Sequence, residues 1–300
     1  MKIIDFFKRF FNKSSKTNNK ANMVENLKNL MAKYAYLKKN AIDIYISNEL
    51  AKDQLSYFGG LPLVDKNFKW PYYESAVIDD EEIKLRPLNF LIQFNLEELA
   101  KYDENHLLPT HGILSFFYLI DGDTWGFDPS DKGSFKVFYF ENINDLKEAK
   151  LPNDYNKDYL FPKTLINLSK IDSYPTYEDL PSDVDSDDYE PLLDSVIKDK
   201  NDTRLLGYSN NIQGSMPHEC ELIAKGYYLG GSYDKIPQKD IDDADKNAPN
   251  EWILLFQLDS TTRENIDLMF GDAGRIYFWI RKDDLKNKNF DNVWMILQCY

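Results

Sequence analysis

Residues 252–280 read WILLFQLDSTTRENIDLMFGDAGRIYFWI, which is one of the two densest apolar segments of the chain. Both of its ends are dense in apolar and aromatic side chains, whereas its middle is polar and contains Gly271 and Gly274. Short apolar runs that are bounded by turn residues are typical of buried β-strands. The pattern therefore predicts two strands that are joined by a polar turn and an acidic, glycine-containing loop.

A looser copy of this pattern occurs upstream, where residues 88–119 read LNFLIQFNLEELAKYDENHLLPTHGILSFFYL. In each copy an apolar strand with an internal glutamine is followed by a polar excursion, a glycine and an aromatic strand. Gln93 and Gln257 hold the equivalent glutamine positions. Self-similarity of this kind indicates an internal duplication. We therefore predict an α+β fold that is mainly β, with internally duplicated antiparallel sheets sharing one core and few peripheral helices.

The order of these segments predicts a domain organisation. Residues 1–22 form a basic amphipathic arm and linker, and residues 23–300 form a single domain with related halves at about 41–140 and 203–300. The intervening residues 141–202 are rich in acids, prolines and tyrosines. We expect them to be an acidic insertion of loops with one short helix near residues 190–198.

The N-terminal arm has its apolar side chains on one face of a helical projection. Residues 2–13 read KIIDFFKRFFNK, and residues 1–22 carry six Lys and Arg side chains but a single acid. A basic amphipathic helix of this type can lie on an anionic membrane surface; docking on its own domain, or fraying, are the alternatives. A second helix is expected over about 23–39, with Asn22 as its N-cap and Glu25 three residues later.

Composition limits the compartment and the partners. The net charge of −14 repels phosphate backbones, so nucleic acid is excluded as a partner. The two cysteines, Cys220 and Cys299, are not a disulfide framework, and the sequence has no apolar run of membrane-spanning length. We expect a cytoplasmic protein with peripheral contact to the inner membrane surface through residues 2–13. The acidic surface attracts a basic protein partner or, alternatively, only confers solubility.

The patterns associated with catalysis are weak. His106, His111 and His218 lack the spacing of a zinc site, and the aspartates at 183, 185 and 187 begin a calcium loop that lacks its glycine and its final glutamate. Cys220 follows a His-Glu pair, but a buried structural thiol is the simpler interpretation. We therefore predict no catalytic residues, no metal site and no cofactor, and favour a protein that is not an enzyme.

Five residues are candidates for a binding site: Trp125, Gln93, Gln257, Asp272 and Arg275. Trp125 lies in a predicted loop, either as a lid over the core or as part of a pocket. Asp272 and Arg275 either form a polar pair at a pocket mouth or belong to a turn whose glycines adopt positive φ. Gln93 and Gln257 either tie loops together symmetrically or line a ligand site between the halves.

Taken together, the blocks of sequence resemble the YwqG-like family, a bacterial domain of unknown function, over roughly residues 45–300. The residues that carry the resemblance are GGLP at 59–62, WP at 70–71, FLIQ at 90–93, LP at 108–109 with Gly112, LLGY at 205–208, IQ at 212–213, LLFQL at 254–258 and GDAGR at 271–275. The resemblance implies a mainly β, internally duplicated, cytoplasmic protein. It implies no activity and no catalytic residues.

Two functions are compatible with these observations. The first is a protein-binding module, of which an immunity protein against a toxin is one form, that uses an acidic surface to mask a basic partner. The alternative is a small-molecule-binding or enzymatic domain with a pocket between the halves, lined by Trp125, Gln93, Gln257 and Arg275.

Overall fold

A computed structural model describes residues 17–77, 80–120, 122–197 and 202–300 of the chain. Over these residues the strands are β1 Lys39–Leu50, β2 Tyr57–Phe58, β3 Leu63–Val64, β4 Tyr72–Val77, β5 Asp80–Pro87, β6 Asn89–Asn95, β7 Ile113–Tyr118, β8 Phe135–Phe140, β9 Lys147–Glu148, β10 Thr164–Ser173, β11 Arg204–Leu205, β12 Trp252–Asp259, β13 Thr261–Arg263, β14 Ile266–Leu268, β15 Arg275–Arg281 and β16 Trp294–Gln298. The α-helices are α1 Thr17–Lys33, α2 Leu96–Leu99, α3 Ser186–Ile197, α4 Pro217–Ala224, α5 Gln238–Glu251 and α6 Lys282–Lys286. The predicted class, α+β and mainly β, is confirmed.

Ten of the strands form one antiparallel sheet in the order β16-β15-β12-β11-β1-β10-β2-β6-β7-β8. This order is symmetric about the central pair, because β11-β12-β15-β16 on one side matches β2-β6-β7-β8 on the other. The strands β2-β6-β7-β8 form the first strand group and β11-β12-β15-β16 form the second. Strands β1 and β10 join the two groups in a single sheet. Each group also contains a strand pair that carries one of the apolar segments recognised in the sequence.

The two groups share one core because the inner faces of their strands meet. Phe116 of β7 lies with its ring centroid 4.7 Å from that of Phe256 in β12 and 5.1 Å from that of Phe278 in β15. At the ends of the sheet, the rings of Phe135 in β8 and Trp294 in β16 are 5.3 Å apart. The sheet therefore curves far enough for its two end strands to pack together.

The expectation for residues 141–202 was wrong in one respect. This segment contains the ten-residue strand β10, which pairs with β1 in the middle of the sheet from Lys39↔Ser173 to Leu50↔Thr164. The apolar residues Leu165, Ile166 and Leu168 do not alternate regularly with polar residues. They also lie between acidic, proline-rich segments, so the local sequence does not indicate a strand. The strand partner lies more than a hundred residues away, where no local pattern can indicate it. The helix predicted near 190–198 is α3, which begins earlier, at Ser186.

The second expected helix also differs from the structure. Helix α1 starts at Thr17, inside the segment predicted as a linker, and runs through Asn22, which is therefore not an N-cap. No glycine or proline interrupts residues 17–22, so nothing stops the helix from extending toward the N-terminus. Leu27 and Leu30 of this helix are buried. Leu30, together with Tyr34 and Leu37 just beyond the helix, packs in one cluster with Tyr189, Leu192 and Leu193 of α3.

The predicted amphipathic helix at residues 2–13 lies outside the described residues. Within the part of the chain that the structure does describe, every helix is too short or too polar to cross a membrane.

Candidate functional site

An open cleft of about 820 Å³ lies between the two halves of the chain. One wall comes from the end of β7 and the loop after it, with Tyr118 and Trp125. The opposite wall comes from the β14–β15 connection and β16, with Met269, Gly271 and Leu297. We call this space the Trp125 cleft. Ala76 and Glu81 of the β4–β5 hairpin, together with Asp158 and Tyr159, complete its rim.

Trp125 is held in place through the loop that carries it. Its backbone carbonyl accepts a hydrogen bond from the amide of Leu297 at 2.9 Å, which attaches the loop to β16. Its indole N–H donates to Asp123 Oδ1 at 3.0 Å. The carbonyl of the next residue, Gly126, accepts the indole N–H of Trp294 at 2.8 Å. The half-buried Trp125 ring is thus positioned by both strand and loop contacts.

Gly126 permits this close approach. Its φ is +83°, and a Cβ atom at this position would lie 1.9 Å from the carbonyl oxygen of Met295. Its amide donates to Asp131 Oδ2 at 2.8 Å. Burial raises the pKa of Asp131, although the hydrogen bond from Gly126 favours the ionised form. Only glycine fits between the loop and β16 here.

The charge of the Trp125 cleft has a single sign. Among the described lining residues the ionisable side chains other than tyrosine are Glu81, Asp123, Asp158 and Asp267, and none is Lys, Arg or His. All four are exposed at the cleft rim. Below them the lining is aromatic or aliphatic. The cleft therefore combines a negative rim with an apolar floor, which suits a cation on an apolar stem.

Gln93 lies in the core, outside the cleft, and is fully buried. Its amide oxygen accepts from the backbone N–H of Leu63 at 2.9 Å, and its amide nitrogen donates to the carbonyl of Leu55 at 2.7 Å. These two residues flank β2. Gln93 therefore ties the glycine-containing loop after β2 to strand β6.

Gln257 makes the equivalent contacts in the second half. It is also fully buried, accepting from the N–H of Asn210 at 2.9 Å and donating to the carbonyl of Asp202 at 2.5 Å. Leu55 and Asp202 each lie two residues before the paired residue of the neighbouring strand, Tyr57 or Arg204. Both amides bond to backbone groups through their oxygen and through their nitrogen, which is the symmetric loop-tying arrangement.

Arg275 has different partners from the one considered in the sequence. Its guanidinium donates to Asp259 Oδ1 at 2.8 Å, to Asp202 Oδ2 at 2.5 Å and to the carbonyl of Asn210 at 3.0 Å. Burial opposes its charge, but Asp202, Tyr277 and Asp259 together outweigh that effect, so the pKa of Arg275 is raised. Asp272 is exposed, and its carbonyl accepts from the N–H of Tyr300. The Asp272–Arg275 pair is therefore absent among the described contacts.

The turn interpretation of residues 271–275 fits the backbone. Gly271 has a φ of +54°, and a Cβ on Gly274 would lie 2.3 Å from the carbonyl oxygen of Gln298. Of the five residues singled out in the sequence, Trp125 lines the cleft and Asp272 adjoins it, whereas Gln93, Gln257 and Arg275 are committed to internal contacts. The acids at positions 81, 158 and 267 were missed, because each comes from a different segment and carries no local signal.

Other motifs considered in the sequence have structural roles. Asp185 Oδ1 accepts from the amide of Asp187 at 2.9 Å at the start of α3. Burial raises the pKa of the Cys220 thiol well above its usual value, so the thiolate is disfavoured. The described residues contain no group of three or more potential ligands placed to hold a metal ion.

A sequence model of a family described as "Domain of unknown function (DUF1963)" matches residues 56–299 of the chain. The match includes both glutamine-bearing strands and every described residue that lines the Trp125 cleft. No curated protein matches the chain.

Proposed function

The chain belongs to the family of domains of unknown function DUF1963, and we propose that it is a protein-binding module whose Trp125 cleft takes a cationic segment of a basic partner. The observation that carries this proposal is the uniform charge of the cleft: every charged side chain among its described lining residues is a carboxylate. A lysine or arginine side chain has a charged head and an apolar stem. The rim suits the head and the floor suits the stem.

The surroundings of the cleft favour the same class of partner. The chain as a whole carries a net charge of −14, so a basic protein is attracted before contact is made. The cleft is wide and open rather than closed around a small molecule. An exposed loop or terminus of a partner can therefore enter it without rearrangement of the sheet. Trp125 supplies an aromatic face for cation–π contact.

Two finer assignments belong to this proposal. The YwqG-like resemblance supports placing the chain in that branch of uncharacterised domains, and an immunity protein against a basic toxin is one form that a cation-binding module takes. Because Cys220 and Cys299 are both free and buried, a reducing, cytoplasmic setting is the environment that we propose. Contact of residues 2–13 with the inner membrane surface stays a prediction, which vesicle sedimentation of the full chain would decide.

The first test is titration calorimetry of the full chain with a short lysine-rich peptide that has a central phenylalanine. We expect binding that weakens as salt is added, because the rim attraction is screened. Combining Glu81→Gln, Asp158→Asn and Asp267→Asn should weaken binding about tenfold or more, since each exposed charge contributes up to about 1 kcal/mol. The three changes keep hydrogen-bonding atoms at each position.

The matched control combines Asp53→Asn, Asp183→Asn and Glu190→Gln, which remove the same charge from exposed positions outside the cleft. If the three control substitutions weaken peptide binding as much as the three cleft substitutions do, the attraction comes from the overall charge and the proposed site is wrong. A peptide with glutamates in place of its lysines should not bind.

A further inference from the structure

A second cleft, of about 620 Å³, lies at the other end of strand β15. The Trp125 cleft adjoins the residues that precede β15, whereas the second cleft is lined by Trp279 near the end of that strand and by Lys282 just beyond it. The two clefts share no described lining residue. The second cleft also includes Lys39, the first residue of β1, and we call it the Lys39 cleft.

The Lys39 cleft presents two ammonium groups. Lys39 Nζ lies 3.8 Å from the centre of the Tyr208 ring, a cation–π distance. Burial lowers the pKa of Lys39, and the carboxylate of Asp179 partly offsets this effect. Lys282 lines the same cleft, and its positive charge adds to the lowering. Among the described residues, neither lysine has a carboxylate within 4.0 Å. Lys39 is nevertheless open to solvent, so a ligand can reach it.

The lining of this cleft also includes two acids, Glu178 and Asp179. Asp179 is engaged by its neighbours, since it accepts from Ser215 Oγ at 2.5 Å and from Asn211 Nδ2 at 2.8 Å. Burial raises the pKa of Asp179 despite these hydrogen bonds. Glu178 is the remaining acid of the lining, and it is exposed. The described lining thus carries two lysines and two carboxylates, and only the lysines can attract an anion.

The remaining lining is aromatic and apolar. Trp252 and Trp279 contribute their indole rings, and Leu254 lies beside them on β12. The indole N–H of Trp252 donates to Glu221 Oε2 at 3.1 Å. The indole N–H of Trp279, in contrast, is buried and has no acceptor among the described residues. An unpaired buried donor is unfavourable, and an acceptor atom on a ligand would remove that cost.

We propose that the Lys39 cleft binds a small amphipathic anion: a carboxylate or phosphate head group between Lys39 and Lys282, carried on an aromatic or apolar body that packs on Trp252 and Trp279. This site goes beyond the proposed protein-binding role of the Trp125 cleft and uses none of its residues. The head group meets the only basic side chains of the described lining. The body meets the indole rings and Leu254.

The test uses the full chain and the anionic fluorophore 8-anilinonaphthalene-1-sulfonate, with phenyl phosphate, phenylacetate and uncharged benzyl alcohol as competitors. We expect saturable binding that the two anions displace and benzyl alcohol does not. Stronger displacement by phenyl phosphate assigns a phosphate head group, and stronger displacement by phenylacetate assigns a carboxylate. Equal displacement by all three overturns the proposal, because it shows that charge is not recognised.

Two variants locate the binding. Lys39→Gln with Lys282→Gln should weaken binding of the anions about tenfold or more, because charge-assisted hydrogen bonds to the head group are lost. Lys66→Gln with Lys150→Gln is the matched control, since both are exposed lysines outside the cleft. Equal affinities in the two double variants would overturn the site.

Trp279→Phe is the third variant, because it keeps an aromatic ring and removes the N–H. If a ligand acceptor pairs with that N–H, the variant should bind the anions about two- to tenfold more weakly, which corresponds to one neutral hydrogen bond. The lysine-rich peptide should bind this variant and the lysine double variant as it binds the unchanged chain. A failure of the anion-binding proposal is therefore distinguishable from a failure of the peptide-binding proposal for the Trp125 cleft.

Discussion

Glu219 shows at the scale of one residue how burial controls charge. It lies in α4, and its Oε2 atom is buried with no hydrogen-bond partner among the described residues. Burial raises its pKa to about 7. The groups around it are His218, which lies 2.6 Å from Asp245, and Tyr233, whose ring stacks on that of His218. None of them supplies a cation that is charged at every pH.

This shift predicts a pH-dependent effect of Glu219→Gln on stability. A folded-state pKa above the unfolded value gives a contribution that is complete below pH 4.5 and is lost as the pH rises through about 7. The neutral variant should therefore be more stable than the unchanged chain at pH 8.5, by up to about 3 kcal/mol, and nearly equal at pH 4. Urea unfolding at both values measures this. Glu190→Gln, an exposed control, should show no such difference between the two pH values.

At the scale of elements, the loop that carries Trp125 depends on its attachment to β16. The backbone amide of Leu297 and the indole of Trp294 both bond to this loop. Asn95 gives a contrasting local example, because its side chain accepts from the N–H of Glu97 and caps α2. The cap requires neighbours in sequence alone, whereas the loop requires a strand that lies almost 170 residues away.

Two glycine substitutions separate backbone strain from close packing. Gly126 and Gly226 have similar φ values, +83° and +94°, but only Gly126 has atoms where a Cβ would be. Gly226→Ala should cost about 1 kcal/mol from the left-handed backbone alone. Gly126→Ala should cost at least about 3 kcal/mol, because overpacking against Met295 is added. Thermal unfolding measures both, and equal costs would contradict the contact between loop and strand.

At the scale of the whole molecule, the two strand groups depend on each other. β1 precedes the first group in sequence but pairs with β11 of the second, whereas β10 pairs with β2 of the first. The main core cluster contains residues from both groups. Neither group can keep its neighbours in the sheet if the other unfolds.

The chain should therefore unfold in one transition whichever half is weakened. Gln93→Leu and Gln257→Leu each leave a backbone N–H and a carbonyl without a partner, so each should cost about 2–5 kcal/mol. Calorimetry should show one peak, displaced downward in both variants. Gln238→Leu, which changes an exposed glutamine, should stay within about 0.5 kcal/mol of the unchanged chain. Two separate peaks, with only one displaced by each variant, would show that the halves are independent.

Several strands could be predicted from the amino-acid sequence, because their patterns lie within a few neighbouring residues. The apolar runs predicted strands β6, β7, β12 and β15, because dense apolar and aromatic segments between turn residues are stable only when buried in a sheet. The matching glutamines pointed to equivalent positions in the two groups. Trp125 was predicted to lie in a loop as a lid or as part of a pocket, and it lines the cleft.

The pairing of these elements, their ion pairs and the clefts between them could be seen only in the tertiary structure. Strand β10 pairs with β1 across more than a hundred residues, and Arg275 finds Asp202 and Asp259 rather than its sequence neighbour Asp272. The rim of the Trp125 cleft gathers acids from four separate segments, and the Lys39 cleft joins the first residue of β1 to the end of β15. The physical reason is the same in each case. Periodicity, caps and turns act over a few residues, whereas sheet pairing, ion pairs and clefts depend on where distant segments are brought together by a shared core.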